Sequence, residues 1–223
     1  MAENNHIRNY SNHVNLFFQN PLYFSEKKGR IGFFMDRDGV LIKDKNFISN
    51  PEDVFLEDGI IGLLNYLYFL KIPVIIITNQ SGISRRLLTW NEFEEVNERM
   101  LNLIGEKNPI VGIFANGLLP NSSIETWRKP SPQMIKIATT IFNIDLQNSF
   151  LIGDRLTDLK AGLNAGIKNL IHVRTGHGEK EIKEVKKFFD NNSCSEKNKR
   201  KVSKVSCYEN LSNYMDIFEK YCL

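Results

Sequence analysis

Cysteine is scarce in this chain: Cys194, Cys207 and Cys222 are the only three in 223 residues, and all lie in its last part. An odd number at this spacing fits neither a disulfide framework nor a zinc pattern. A reducing compartment is therefore expected, and the cytoplasm is the expected address. No apolar run is long enough to span a bilayer, and the Asn-rich start shows no charged-then-apolar leader pattern. No membrane partner is expected. Charge of one sign is also lacking, the formal net charge being +3, too little to call for a nucleic-acid partner. The heavily charged stretch from Glu179 to Ser203 is read as a helix followed by a solvated basic loop. Internal repeats and linkers are absent. So are a Ser-His-Asp arrangement and a P-loop; Gly105 to Lys107 lacks the required glycine and lysine spacing.

What is present is enough for one core. Hydrophobic residues make up 42% and charged residues 25% of the chain, a balance that suits a single domain of ordinary size. Residues 1–28 have no clean periodicity and are read as an N-terminal arm, either partly disordered or packed on the domain or on a partner; residues 29–223 are read as the domain. A monomer or small homo-oligomer is expected.

The informative stretch runs from Arg30 to Val40. Ile31 to Met35 is a short apolar run, and it ends in two carboxylates one residue apart, Asp36 and Asp38, followed by Gly39. Apolar runs of this length suit strands of a parallel sheet covered on both faces. Ligands bind beyond the carboxyl ends of such strands. A plain strand followed by an Asp-Gly turn explains the segment equally well on its own.

The rest of the chain repeats the pattern. Ile60 to Leu70 has helical spacing and is stopped by Pro73. Val74 to Ile77 is a strand rich in β-branched residues, ending in Thr78, Asn79, Gln80 and Ser81. Thr89 and Glu92 form a capping-box signature for a helix to about Ile104. Ile110 to Ala115 is a third strand. An irregular segment then delivers Arg128 and Lys129 to a helix entrance at Ser131 and Pro132. Ser149 to Ile152 ends in Asp154, Arg155 and Asp158, and Asn169 to Val173 ends in Thr175 and Gly176. Val202 to Cys207 is read as an edge strand, and Leu211 to Tyr221 as a closing helix. Trp90, Trp127 and His172 are read as packing residues, and His177 as a loop residue. Strands alternating with helices predict an α/β, doubly wound parallel sheet, with no large inserted cap domain.

In such a sheet these strand ends share one edge. Clustered acids with oxygen neighbours favour a hard cation such as Mg²⁺. A lysine with hydroxyl and amide donors favours a phosphoryl group. One carboxylate can attack phosphorus, and a second can manage the proton. The set reads as a Mg²⁺-dependent phosphoryl-transfer site.

These elements resemble the four motifs of the haloacid dehalogenase (HAD) superfamily: Asp36-Arg37-Asp38-Gly39-Val40, then Thr78, then Lys129, then Gly153 to Asp158. Arg37, the run Thr78 to Ile83, and Arg128-Lys129-Pro130 further resemble the D-glycero-D-manno-heptose 1,7-bisphosphate phosphatases and their histidinol-phosphatase relatives. The resemblance implies a phosphatase with Asp36 as nucleophile and Asp38 as proton donor. It implies Mg²⁺ on Asp36, the Asp38 carbonyl and Asp154, with Thr78 and Lys129 on the transferring phosphoryl group. It implies a substrate pocket of Asp44, Lys45, Asn46, Phe47, Asn79, Gln80, Ser81, Arg85 and Arg128, supported by Arg155 and Asp158. The partner implied is a small phosphorylated metabolite such as a sugar phosphate. Those relatives usually carry a zinc loop just before Arg-Lys-Pro. Asn116 to Trp127 has neither Cys nor His, so no structural zinc is expected. Polynucleotide 3′-phosphatases share a similar Thr-Asn-Gln segment and Arg-Lys-Pro and are the runner-up. A catalytically silent HAD-like binding protein is the reading from another class.

Overall fold

A computed structural model of the chain describes residues 6–11, 14–18, 29–120, 127–193 and 204–221. Eight strands form one sheet: β1 (His6–Ser11), β2 (Val14–Phe18), β3 (Phe33–Met35), β4 (Val74–Asn79), β5 (Ile110–Asn116), β6 (Phe150–Gly153), β7 (Asn169–Val173) and β8 (Lys204–Tyr208). Their order across the sheet is β1-β2-β5-β4-β3-β6-β7-β8. From β5 to β8 all neighbours are parallel.

The helices are α1 (Ile60–Phe69), α2 (Trp90–Ile104), α3 (Gln133–Phe142), α4 (Leu156–Ala165), α5 (Gly178–Ser193) and α6 (Met215–Tyr221). They cover both faces of the sheet. Side chains alternate along β3, so Phe33 and Met35 pack with α1, α2 and α6 while Phe34 packs with α3, α4 and α5. Burial on both faces is what makes the central strands read as unbroken apolar runs. The start of α2 is set by a full capping box: the Thr89 hydroxyl accepts from the Glu92 amide, and Glu92 accepts from the Thr89 amide. Trp90 packs edge-on against Phe93, with ring centres 5.4 Å apart, and His172 is fully buried in β7.

The described part of the N-terminal arm packs on the domain as two strands. β1 and β2 pair antiparallel, and β2 lies antiparallel along β5 with Val14 opposite Asn116 and Phe18 opposite Gly112. Its Asn-rich composition hides this, because backbone pairing asks little of side-chain identity at a sheet edge. The expected edge strand is present as β8, which forms the other edge of the sheet; Val202 and Ser203 of the expected range lie outside the described residues. The expected basic loop and part of the expected zinc-free stretch, residues 194–203 and 121–126, lie outside the described residues.

β3 sits in the middle of the parallel strands, paired on one side with β4 and on the other with β6. Its Asp36 amide still bonds to Ile152 of β6 at 3.1 Å. The chain then leaves the sheet at Arg37, whose carbonyl accepts from the amides of Leu41 and Ile42 at 2.9 and 3.0 Å. This tight loop holds Asp36 and Asp38 at the carboxyl edge.

Candidate active site

A cavity of about 580 Å³ opens at that edge. The ends of β3, β4 and β6, the segment before α3 and the start of α4 all reach its wall. Asp36, Asp154 and Asp158 can bring one carboxylate oxygen each to within 4.8 Å of one another. All three are buried, Asp154 completely.

Lys129 stands among them. Its ammonium lies 2.9 Å from Asp36 Oδ1 and 2.8 Å from Asp158 Oδ1. It also donates to the Ile77 carbonyl at 2.8 Å. The ammonium is thus held by two ion pairs and one hydrogen bond. The backbone of Lys129 is fixed from β4: the Asn79 side chain accepts from the Lys129 amide at 3.0 Å and donates to its carbonyl at 3.2 Å.

One ammonium among three buried acids leaves two negative charges uncompensated. The titration of the site reflects that excess. Burial, opposed by the Lys129 charge but helped by Asp158 and Asp38, pushes the Asp36 carboxyl up to about 7. Burial, with Asp158 and Asp36 beside it, pushes Asp154 up to about 9. Burial alone would lower the Lys129 ammonium, but Asp158 and Asp36 together outweigh it and hold it raised.

Asp154 has an unusual cradle. Its Oδ2 accepts from the His177 amide at 2.7 Å, while its Oδ1 is buried with no hydrogen-bond partner. Gly39 and Gly176 both have positive φ, and a Cβ on either would come within 2.6 Å and 2.5 Å of Asp154 Oδ2. Only glycine lets the two loops close this tightly around the carboxylate. An orphaned carboxylate oxygen beside two other acids, with a charge deficit of two, fits a hard divalent cation.

Asp38 is held separately. Arg37 Nε and Nη2 donate to its two oxygens at 3.2 and 3.1 Å. Gln80 Nε2 donates to Asp38 Oδ2 at 2.7 Å and to the Thr78 hydroxyl oxygen at 2.9 Å. With its oxygen accepting from Gln80, the Thr78 hydroxyl keeps its proton to give to a ligand.

Most of the expected pocket residues meet here. Asp44, Asn46, Phe47, Asn79, Gln80, Ser81, Arg128 and Arg155 line the cavity. Asn46 and Phe47 hold it with φ of 56° and 51°, a strained pair for side chains of this kind. Lys45 points elsewhere, pairing with Asp53 at 3.1 Å and lying over the Phe55 ring. Arg85 is exposed and is not in the wall. Arg85 and Arg155 are still near enough to help burial lower the Arg128 guanidinium. Arg155 is steadied by Glu181 at 3.1 Å, which also accepts from the Leu156 amide.

Two polar wall residues, Thr157 and His177, escape sequence reasoning. His177 faces the cavity and its Nε2 lies 3.1 Å from Asp44. Thr157 joins it from the start of α4. Thr157 lies inside the fourth motif, which was the available signal; His177 had none beyond its place after a strand end.

Comparison with known proteins gives the family and the fold. Residues 126–190 match a family model described as HAD-hydrolase-like. A D-glycero-beta-D-manno-heptose-1,7-bisphosphate 7-phosphatase of Helicobacter pylori is 35% identical over 164 residues, covering 70% of this chain and 94% of that protein. A D-glycero-alpha-D-manno-heptose-1,7-bisphosphate 7-phosphatase of Photorhabdus laumondii is 36% identical over 155 residues, covering 66% and 85%. Among solved structures, a HAD-like phosphatase of Mesorhizobium loti is similar with a TM-score of 0.67 and 30% identity, over 74% of this chain and 81% of that one. The D,D-heptose 1,7-bisphosphate phosphatase of B. bronchiseptica, solved with magnesium and phosphate, shares the fold at a TM-score of 0.69 and 22% identity, over 85% and 99%.

Proposed function

This chain belongs to the HAD-type phosphatases, within the heptose-1,7-bisphosphate 7-phosphatase family, and on that premise we propose a Mg²⁺-dependent phosphomonoester hydrolase that works through an aspartyl phosphate. The observation that carries the proposal is the convergence of Asp36, Asp154 and Asp158 around Lys129 at the carboxyl edge of β3. Mg²⁺ held by Asp36, Asp154 and the Asp38 backbone carbonyl would supply positive charge against the phosphoryl oxygens.

The residues divide the work. Asp36 Oδ1 takes both the Lys129 ammonium and the Arg37 amide, the latter at 2.7 Å, which leaves Oδ2 to attack phosphorus. The bond from phosphorus to the leaving oxygen breaks, and a proton from Asp38 passes to that oxygen. Water then attacks the aspartyl phosphate, Asp38 takes up its proton, and phosphate leaves with Asp36 restored. Thr78 hydrogen-bonds the transferring group. The Lys129 charge offsets its growing negative charge and holds Asp36 in place.

The substrate we infer is a sugar phosphate, D-glycero-D-manno-heptose 1,7-bisphosphate, acted on in the cytoplasm. Arg128 and Arg155 on the wall suit the anionic remainder of a bisphosphate, and Phe47 offers an apolar face to a sugar ring. The names of the relatives divide between the alpha and beta anomers, so both belong in the test. Phosphate release is measured with Mg²⁺ on both anomers, on histidinol phosphate and on a 3′-phosphorylated oligonucleotide. One heptose bisphosphate is expected to have the highest kcat/KM, with Asp36→Asn inactive. Preference for histidinol phosphate or the oligonucleotide would replace the substrate. Absence of Mg²⁺-dependent release from all four would end the enzymatic reading.

A further inference from the structure

Arg37 is the largest fully buried side chain among the described residues, and it is charged. Nothing in the chemistry above employs it. Its surroundings define its task. Two of its donors grip both oxygens of Asp38. A third, Nη1, donates at 3.0 Å to Oδ1 of Asn97, a buried residue in the middle of α2. The guanidinium carbon lies 4.8 Å from the centre of the Phe93 ring, one helical turn before Asn97. Neither Asn97 nor Phe93 lines the cavity.

We propose that Arg37 and Asn97 are positioning residues that hold the Asp38 carboxyl in the plane required for proton transfer to the leaving oxygen. The proposal rests on the reading of Asp38 as the proton donor. An arginine fork fixes both the distance and the plane of a carboxylate, which a lysine cannot do. A fork steadies its target only if it is itself immobile. Asn97 fixes one end of the guanidinium and Phe93 fixes its face, so α2 is the frame from which Asp38 is held.

The oxygens of Asp38 are thereby made unequal. Oδ2 accepts from both Arg37 Nε and Gln80 Nε2, which occupies its two lone pairs. Oδ1 accepts only from Arg37 Nη2, and keeps one position for the travelling proton. Gln80 also ties the same carboxyl to Thr78, so the proton donor and the phosphoryl donor are set by one amide.

A leaving-group comparison tests this. p-Nitrophenolate departs from phosphorus as a stable anion without a proton, whereas a sugar alkoxide needs one. Asn97→Ala is assayed with p-nitrophenyl phosphate and with the preferred heptose bisphosphate, recording kcat, KM and Tm. The expected result is a loss of kcat/KM on the sugar phosphate of roughly tenfold to a hundredfold and a much smaller loss of kcat/KM on the aryl ester, because kcat/KM ends at departure of the leaving group and leaves out the hydrolysis of the aspartyl phosphate that both substrates share. Asn97→Asp, which keeps an oxygen for Arg37 Nη1, should restore the wild-type ratio of the two rates. Arg37→Lys, which keeps the charge and loses the fork, should reproduce the Asn97→Ala pattern and serves where that variant fails to fold. Equal losses of kcat/KM on both substrates in a folded variant, or no loss of kcat/KM on either, overturn the proposal while the phosphatase reading stands. A wild-type protein that releases phosphate from neither ester overturns both.

Discussion

The Lys129 ammonium and the Asp158 carboxylate lie 2.8 Å apart, each only 1% exposed. Asp158 Oδ2 in turn accepts from the Arg155 amide at 3.0 Å, so the position of Lys129 is inherited from the first turn of α4. Asp158→Asn leaves Lys129 with Asp36 as its remaining ion-pair partner. Stability should fall by about 1–3 kcal/mol and kcat by on the order of a hundredfold, measured by denaturant unfolding and steady-state kinetics. An unchanged kcat would mean that Asp158 is not what places Lys129.

Asp154→Asn should do something less intuitive. The wild-type carboxylate is buried among like charges with one oxygen unpartnered. With its carboxyl raised to about 9, Asp154 must take up a proton on folding at neutral pH; Asn needs none, so metal-free protein should gain about 1–2 kcal/mol while Mg²⁺-dependent turnover is lost. A thermal melt in chelator and an activity assay check the two halves. Destabilisation in chelator would show that the acids are not in conflict.

Cation binding should appear as stability. Anything that binds the folded form alone raises its Tm, by about 2.7 kcal/mol in free energy at a hundredfold excess over Kd. Titrating Mg²⁺ into chelated protein should raise Tm for the wild type and not for Asp154→Asn.

Lys45 and Phe47 separate by geometry, although both were expected in the pocket. Lys45 pairs with Asp53 at the surface, and exposed pairs contribute about 0–1 kcal/mol. Lys45→Ala should leave KM unchanged, while Phe47→Ala should raise KM for a sugar phosphate by roughly tenfold. A larger effect from Lys45 than from Phe47 would contradict the wall described.

The capping box of α2 carries a pH signature. The Thr89 amide and hydroxyl hold the Glu92 carboxyl below its ordinary value. A carboxyl lowered in the folded state adds stability that is present above about pH 4.3, its unfolded value, and lost as pH falls through the folded one. Glu92→Gln should therefore have a lower Tm than wild type at pH 7, and the gap should close in acid. A gap that widens in acid would reverse the sign.

The fold was legible where side chains decide it. Central strands are buried on both faces, and they ended at Asp36, Thr78 and Asp154 in plain view. The capping box at Thr89 was legible for the same local reason. β1 and β2 were not, because an edge pairs through its backbone. At the site, the residues on strand ends could be listed from order alone. Arg37 could not be assigned a place, since an arginine is ordinarily solvated and only tertiary packing put it under α2. Lys45 and Phe47 are close neighbours in one loop, and only the positive φ at Asn46 and Phe47 decides which side chain faces inward.

The sheet order has a consequence for the growing chain. β3 gains its first neighbour, β4, some forty residues on, but its second, β6, more than a hundred residues on. During synthesis the strand that bears Asp36 waits half-paired until residues 150–153 have left the ribosome. Asp154 and Asp158 arrive in the same stretch. The acids therefore assemble only as the sheet closes, and a nascent chain stopped before β6 has no site in which to trap a cation or a phosphate ester.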